Sequence, residues 1–323
     1  MDKARQHGAM ALFDQPWGDS PTQSGGRVPG AEGVPAFVLR RPRANPIPVL
    51  IAVPHAGRFY PPALTAALRH PREAGLRLED RYIDLVADRV ARATGAGLLL
   101  AHAPRAMIDL NRAPDDIDWE MVQGGGSAVR ARLTAGRRAR SGLGLVPRRL
   151  PGLGELWRAP ISRAALEERI AWVHQPYHAA LAKTLESMRD RWGAALLLDL
   201  HSMPPLGPKS GPEAAVDYVI GDRFGAACDS RLVGATLDHF ERKGASVAHN
   251  RPYAGGYVLD RHGAPARKIS AMQLEVCRSA YLDAAMREPA EGVDAVSETI
   301  AGLVRLLADE VVAGGFGFAQ AAE

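Results

Sequence analysis

One stretch limits the possible folds more than any other. Residues 194–205 read Ala-Ala-Leu-Leu-Leu-Asp-Leu-His-Ser-Met-Pro-Pro. The consecutive apolar residues suit a strand buried on both faces, as in a parallel sheet, and Pro204 and Pro205 stop it. Asp199 and His201 arrive where the strand should end, two residues apart and so on one side of it. In open α/β sheets, ligands sit at the carboxyl ends of the strands. A His there can bind a metal and an Asp can orient it; a buried, hydrogen-bonded His that only closes the strand fits as well. Residues 48–57, Pro-Val-Leu-Ile-Ala-Val-Pro-His-Ala-Gly, repeat the pattern and end in His55. Two strands that each deliver a His at the carboxyl end suggest one shared site.

The rest of the chain supplies helices between such strands. Residues 1–33, rich in Gly, Pro, Gln and Ser, read as a flexible arm. Strands are expected near 36–41, 48–54 and 97–101, with a helix over 79–94 that places Asp80, Asp84 and Asp88 on one face. Residues 113–160 lack periodicity and read as a long Arg/Gly-rich loop or lid. A helix over 162–191 should start at an N-cap, Ser162, and kink at Pro176. Strands follow at 194–199, 216–220, 245–248, 255–259 and 269–275, with helices at 227–242 and around 293–311. The alternation implies a three-layer α/β/α sandwich with a mixed sheet, in a single domain over 34–315.

Composition narrows the function. The 323 residues are 46% hydrophobic with a net charge of +4, enough to bury a large core. Much of the positive excess is local, since residues 130–149 hold seven Arg and no acid. That run could touch nucleic acid or a membrane surface, but it lacks interleaved aromatics and any nucleic-acid fold signature, so a solvated loop or lid is the better reading. The Gly124-Gly125-Gly126 run lacks the strand before it and the Lys-Ser/Thr after it that a phosphate loop needs. Cys228 and Cys277 form no CxxC pair, which excludes a Cys-based zinc site and fits a reducing compartment. No signal peptide or membrane span is read, and a cytoplasmic location is expected. Neither nucleic acid nor membrane is an expected partner; a homo-oligomer is left open.

Three further groups carry chemistry. The run Asp109-Leu-Asn-Arg112 sets a fork donor beside an amide, and Arg binds carboxylates bidentately, with Arg105 adding a second positive group. Either Arg could instead pair with acids at the core edge. Glu275 sits inside the apolar Met272-Gln-Leu-Glu-Val276, where an acid is costly unless paired. Near a metal it would make a general base for water; otherwise a salt bridge to Arg278 would explain it. Tyr253 and Tyr257 lie in a Gly-rich turn and could line a pocket or simply pack the loop.

Taken together, Pro54-His-Ala-Gly57, Glu79-Asp80, Asp109-Leu-Asn-Arg112, Asp199-Leu-His-Ser202, Pro252-Tyr-Ala-Gly-Gly-Tyr257 and Gln273-Leu-Glu275 resemble the N-formylglutamate amidohydrolase (formylglutamate deformylase) family. That family is related to the zinc carboxypeptidases and aspartoacylases, and the segments span roughly residues 48–285. The resemblance implies a zinc-carboxypeptidase-like fold and a zinc-dependent hydrolase that cleaves N-formyl-L-glutamate to formate and L-glutamate, ending a histidine degradation route. It implies His55 and His201 as zinc ligands with a carboxylate as the third. Carboxypeptidases place that acid three residues after the first His, where this chain has Arg58. Asp80 is the expected third ligand and Asp84 the alternative, because the helix carrying them could return toward His55, with Asp199 behind His201 fixing its other nitrogen. Glu275 would be the general base and Arg105 would stabilise the oxyanion. Asn111 and Arg112 would hold a substrate carboxylate, and Tyr253 and Tyr257 would line or close the pocket. Rival readings are hydrolysis of another N-acyl amino acid or small peptide on the same machinery, and a non-catalytic carboxylate-binding protein.

Overall fold

The computed structural model describes residues 21–42, 46–124, 136–209, 211 and 215–316. Ten strands occur among them: β1 (Thr22–Gly25), β2 (Phe37–Arg40), β3 (Val49–Val53), β4 (Gly97–Ala101), β5 (Arg149–Leu150), β6 (Gly154–Glu155), β7 (Ala195–Met203), β8 (Tyr218–Gly221), β9 (Val247–His249) and β10 (Ile269–Cys277). All but β5 and β6, which form a small hairpin, join one eight-stranded sheet in the order β1-β2-β4-β3-β7-β10-β8-β9. Its centre is parallel: β4, β3, β7 and β10 run the same way. The flanking pairs β1–β2, β2–β4 and β10–β8 are antiparallel. The sheet is thus mixed, as the alternation of elements requires.

The central strands are apolar because both faces are covered. Along β3, Val49, Ile51 and Val53 pack on one face with the helices Ile83–Thr94, Ser230–Arg242 and Gly292–Phe316. Leu50 and Ala52 pack on the other, against the helical run from Arg163 to Trp192 and the chain around residues 103–161. On β7, Leu196, Leu198 and Leu200 join the first core and Ala195 and Leu197 the second. The two-residue period then sends Asp199 and His201 to the second face.

The local signals at helix ends act as expected where they are present. Ser162 accepts the Ala165 N–H at 3.1 Å as N-cap, and Gly95, at φ 82°, closes Ile83–Thr94 in the left-handed conformation that glycine tolerates. In the long helix, one π turn, Ile170–His174, lies immediately upstream of Pro176.

Four expectations need correction. Residues 22–25 are not a free arm, because β1 pairs with β2 at the sheet edge; residues 1–20 lie outside the described residues, as do 125–135 of the Arg/Gly-rich loop. The expected helix over 79–94 begins only at Ile83, so Glu79 and Asp80 occupy the turn before it. The segment 255–259 is no strand: Tyr257–His262 is a short helix. Finally, β7 continues through His201 to Met203, with all nine residues buried, rather than ending at Asp199. Among the described residues no helix is long and apolar enough to cross a membrane.

Candidate active site

Sheet register assembles the site. Ala52 lies beside Asp199, and His201 lies directly opposite Glu275 on the neighbouring parallel strand. Two residues beyond β3, His55 therefore projects next to the Asp199–His201 pair. The backbone N–H of Asp80 donates to the His55 carbonyl at 2.9 Å, docking the 79–82 turn on the same spot.

The outcome is a buried cluster of His55, Asp80 and His201, whose candidate ligand atoms all lie within 4.8 Å of one another. His201 Nδ1 is 2.9 Å from Asp80 Oδ2, and His55 Nδ1 is 3.6 Å from the same oxygen. Each ring turns its other nitrogen to a second carboxylate: His201 Nε2 lies 2.8 Å from Asp199 and His55 Nε2 lies 2.7 Å from Asp109. Donation from both Nε2 atoms would leave both Nδ1 atoms bare and facing Asp80. His55 Nδ1 has no hydrogen-bond partner among the described residues although it is fully buried. An orphaned imidazole nitrogen beside a carboxylate and a second imidazole suits a cation: two N donors and one O donor are the set zinc takes in catalytic sites.

The charges fit that role. Burial opposes the ionisation of Asp80, yet His201 and His55 beside it hold its carboxyl well below the usual range. Asp109 is likewise ionised against burial, by Arg105, His55 and Arg112. Glu275 differs, since burial pushes it up to about 7 against the pull of His201. Its carboxylate accepts from Gln273 Nε2 at 3.0 Å, not from Arg278. Arg278 serves Asp80 at 3.3 Å and Ser202 at 3.0 Å instead.

A cavity of about 320 Å³ opens over the cluster, walled by Arg105, Arg112, Tyr253 and Glu275 among others. Arg105 donates through Nε to Asp109 at 2.9 Å. Its terminal nitrogens have no partner among the described residues. Arg112 donates from Nε to the Leu143 carbonyl at 3.0 Å and from Nη1 to the Asn111 carbonyl at 2.7 Å, which aims the rest of its fork.

Three expected site residues are placed differently. Asp84 is not in the cluster: it forms a two-point ion pair with Arg58, both contacts at 2.8 Å, so the side chain that displaces the carboxypeptidase-type acid also occupies the alternative one. Asn111 borders the cavity, but its side chain accepts the Val258 N–H at 2.9 Å and leans on Gln273 at 3.4 Å. A Cβ at Gly256 would lie 2.6 Å from the Asn111 oxygen, so this seat needs glycine. Tyr257 does not line the cavity. It packs 5.1 Å from His178 and 5.6 Å from His174, ring centre to ring centre.

Two groups escaped the sequence reading. Asp109 was read only as part of the run that carries Asn111 and Arg112, although an Asp paired with His201 foreshadows a second Asp behind His55. Behind the 110–112 segment, buried His178 approaches the Leu110 carbonyl at 3.0 Å and His174 the Arg112 carbonyl at 2.9 Å. His262 lies 2.9 Å from the other His178 nitrogen. Burial, aided by neighbouring His174 and His262, keeps His178 well below its ordinary pKa, and burial with Arg261 takes His262 to about 3. These neutral rings brace the segment that presents Arg112. The His-Gln-Pro-Tyr-His spacing at i and i+4 was the available signal.

Comparisons with known proteins give the family of the chain. The model of the N-formylglutamate amidohydrolase family matches residues 47–282, a span that holds every cluster and cavity residue named above. An N-formylglutamate deformylase of Pseudomonas aeruginosa is 31% identical over 242 residues, 73% of this chain and 83% of that protein. One from Pseudomonas putida is 32% identical over 244 residues, 73% of this chain and 82% of that protein. The crystal structure of an N-formylglutamate amidohydrolase from Ralstonia eutropha superposes with a TM-score of 0.76 at 32% identity, covering 86% of this chain and 99% of that one. With its His-Asp-His cluster, buried glutamate and arginine-walled cavity inside the matched span, the chain belongs to the N-formylglutamate amidohydrolase family.

Proposed function

We propose that this protein is a zinc-dependent amidohydrolase that cleaves N-formyl-L-glutamate to formate and L-glutamate. The observation that carries the reading is the orphaned His55 Nδ1 facing Asp80 and His201, one strand away from a glutamate held near neutrality. The names of the related deformylases supply the substrate.

His55, Asp80 and His201 would hold the metal, with Asp109 and Asp199 fixing the ring orientations. Zinc bound there would supply Lewis acidity and bring the pKa of water toward 7. Glu275 takes the proton from the attacking water as the new C–O bond forms at the formyl carbon. A carboxyl near 7 can accept that proton and return it. It delivers it to the amide nitrogen as the C–N bond breaks, releasing formate and the glutamate amine. Arg105 lines the cavity, and its terminal nitrogens would stabilise the charge that gathers on the formyl oxygen. Arg112 takes a substrate carboxylate with the part of its fork not used on the backbone. Tyr253 lines the same wall, and Asn111 acts by keeping Gln273, and through it Glu275, in place.

Formate release from N-formyl-L-glutamate by zinc-loaded protein tests the reading. Glu275→Gln should keep the metal and lose about 10²–10⁴-fold in kcat. Hydrolysis of N-acetyl- or N-succinylglutamate in place of the formyl compound would shift the assignment to another acyl group. No hydrolysis of any N-acyl amino acid, with metal bound, would overturn it.

A further inference from the structure

From the structure we infer that Arg138 reads the second carboxylate of a dicarboxylic substrate, making it the residue that selects an acidic amino acid over a neutral one. The inference rests on the N-acyl amino acid reading above and deepens it.

The argument starts from what each arginine around the cavity already does. Arg278 spends its guanidinium on Ser202, Asp80 and the carbonyls of Leu76 and Glu79. Arg77 donates to the Pro151 carbonyl at 2.5 Å. Arg105 is anchored on Asp109, and Arg112 on Leu143 and Asn111. Among the arginines that line the cavity, only Arg138 has no hydrogen-bond or ion-pair partner among the described residues.

Its position is built rather than incidental. Arg138 lies in the helical turn Arg137–Arg140, anchored by the fully buried Ala139. The Leu143 N–H donates to the Arg138 carbonyl at 2.9 Å, while the Leu143 carbonyl accepts from Arg112 Nε at 3.0 Å. One residue thus ties the turn that carries Arg138 to the guanidinium of Arg112. Two cations held this way repel each other, and Arg138 is among the groups that, with burial, depress the Arg112 pKa. Arg112 and Arg138 also line the adjoining cavity, where Asp115 and Asp116 lie, whereas the acids of this cavity, Asp80 and Glu275, are engaged with His201 and Arg278 and with Gln273. Like charges facing one space without an anion between them are stabilised by an anion that bridges them. A substrate whose two carboxylates are a few bonds apart meets both: one on Arg112, the other on Arg138. This gives the Arg-rich segment a task at the active site that its sequence alone did not reveal.

Arg138→Gln provides the test, assayed on N-formyl-L-glutamate and N-formyl-L-glutamine, which differ only in the side-chain charge. In the variant kcat/KM for the diacid should fall about 10- to 100-fold, mostly through KM, as expected for a lost charged hydrogen bond. The glutamine compound should change less than about threefold, and Arg138→Lys should recover part of the loss on the diacid. An equal fall on both substrates, or none on the diacid, overturns the inference. If the wild type hydrolyses neither compound, the proposed activity fails and the role of Arg138 is read separately, from thermal protection of the metal-loaded protein by glutarate and butyrate. Glutarate raising Tm in the wild type but not in Arg138→Gln supports the assignment; equal protection of both proteins overturns it.

Discussion

Asp109→Asn separates a carboxylate that merely fills space from one that sets up the metal centre. Asp109 Oδ1 meets His55 Nε2 at 2.7 Å and the Asn111 N–H at 2.9 Å, while Oδ2 accepts from Arg105 Nε at 2.9 Å. An amide is isosteric but has one acceptor atom in place of two. Turned with its oxygen toward His55 and Asn111, it sets an NH2 against the Arg105 Nε–H, donor to donor. Turned the other way, it sets the NH2 against the Asn111 N–H and His55 Nε2. His55 could then accept only by moving its proton to Nδ1, the atom that must be bare to hold a metal. Either arrangement loses at least one charge-assisted hydrogen bond, about 1.5–3 kcal/mol, which corresponds to roughly 10- to 150-fold in an equilibrium or rate constant. Competition with a chromophoric chelator should show zinc affinity weakened about 10- to 100-fold, and kcat/KM for N-formylglutamate should fall at least as far because Arg105 loses its anchor. If affinity and kcat/KM both stay within about threefold of wild type, Asp109 does not orient His55, and the account of the two bare Nδ1 atoms fails.

His55→Ala and His201→Ala should each abolish stoichiometric zinc by elemental analysis while leaving the far-ultraviolet circular dichroism intact. Asp80→Asn and Asp84→Asn should part company in zinc affinity: the first weakens metal binding, whereas the second breaks the buried pair with Arg58 and costs about 3–5 kcal/mol in denaturant unfolding with zinc affinity preserved. The His178–His262 brace predicts an acid-labile fold. Both rings titrate below their ordinary 6.5, His262 near 3, so the unfolded chain binds more protons as pH falls from about 6.5 toward 3. Stability present above pH 6.5 should drop there by about 1.4 kcal/mol per pH unit for each such His, and His262→Phe should flatten the measured slope by about one proton whatever it costs at pH 7.

The difference between what the sequence disclosed and what it hid follows from the range of the interactions. A strand buried on both faces must be apolar along its own length, so Val49–Val53 and Ala195–Leu198 announce themselves, and a His or Asp that interrupts them stands out. Whether such a residue meets a partner depends on register, which no short window records. Glu275 looked equally ready to pair with Arg278 three residues on, and only the alignment of β10 with β7 sets it beside His201. The 255–259 segment was misread because Gly-Gly-Tyr-Val-Leu has the composition of a strand; contact of Gly256 with Asn111 and of Val258 with the same side chain makes it a helix start instead. That change of element is what turns Tyr257 away from the cavity. Asp80 and Asp84 show the limit most sharply. Helical spacing put both on one face, and nothing local distinguished them. The choice between them is made by Arg58, which stands where an acid was expected and draws Asp84 into an ion pair at 2.8 Å. The same residue therefore removes one candidate ligand by its own identity and a second by its charge. Asp80, in the turn ahead of the helix and hydrogen-bonded to the backbone of His55, is left as the carboxylate within reach of both imidazoles.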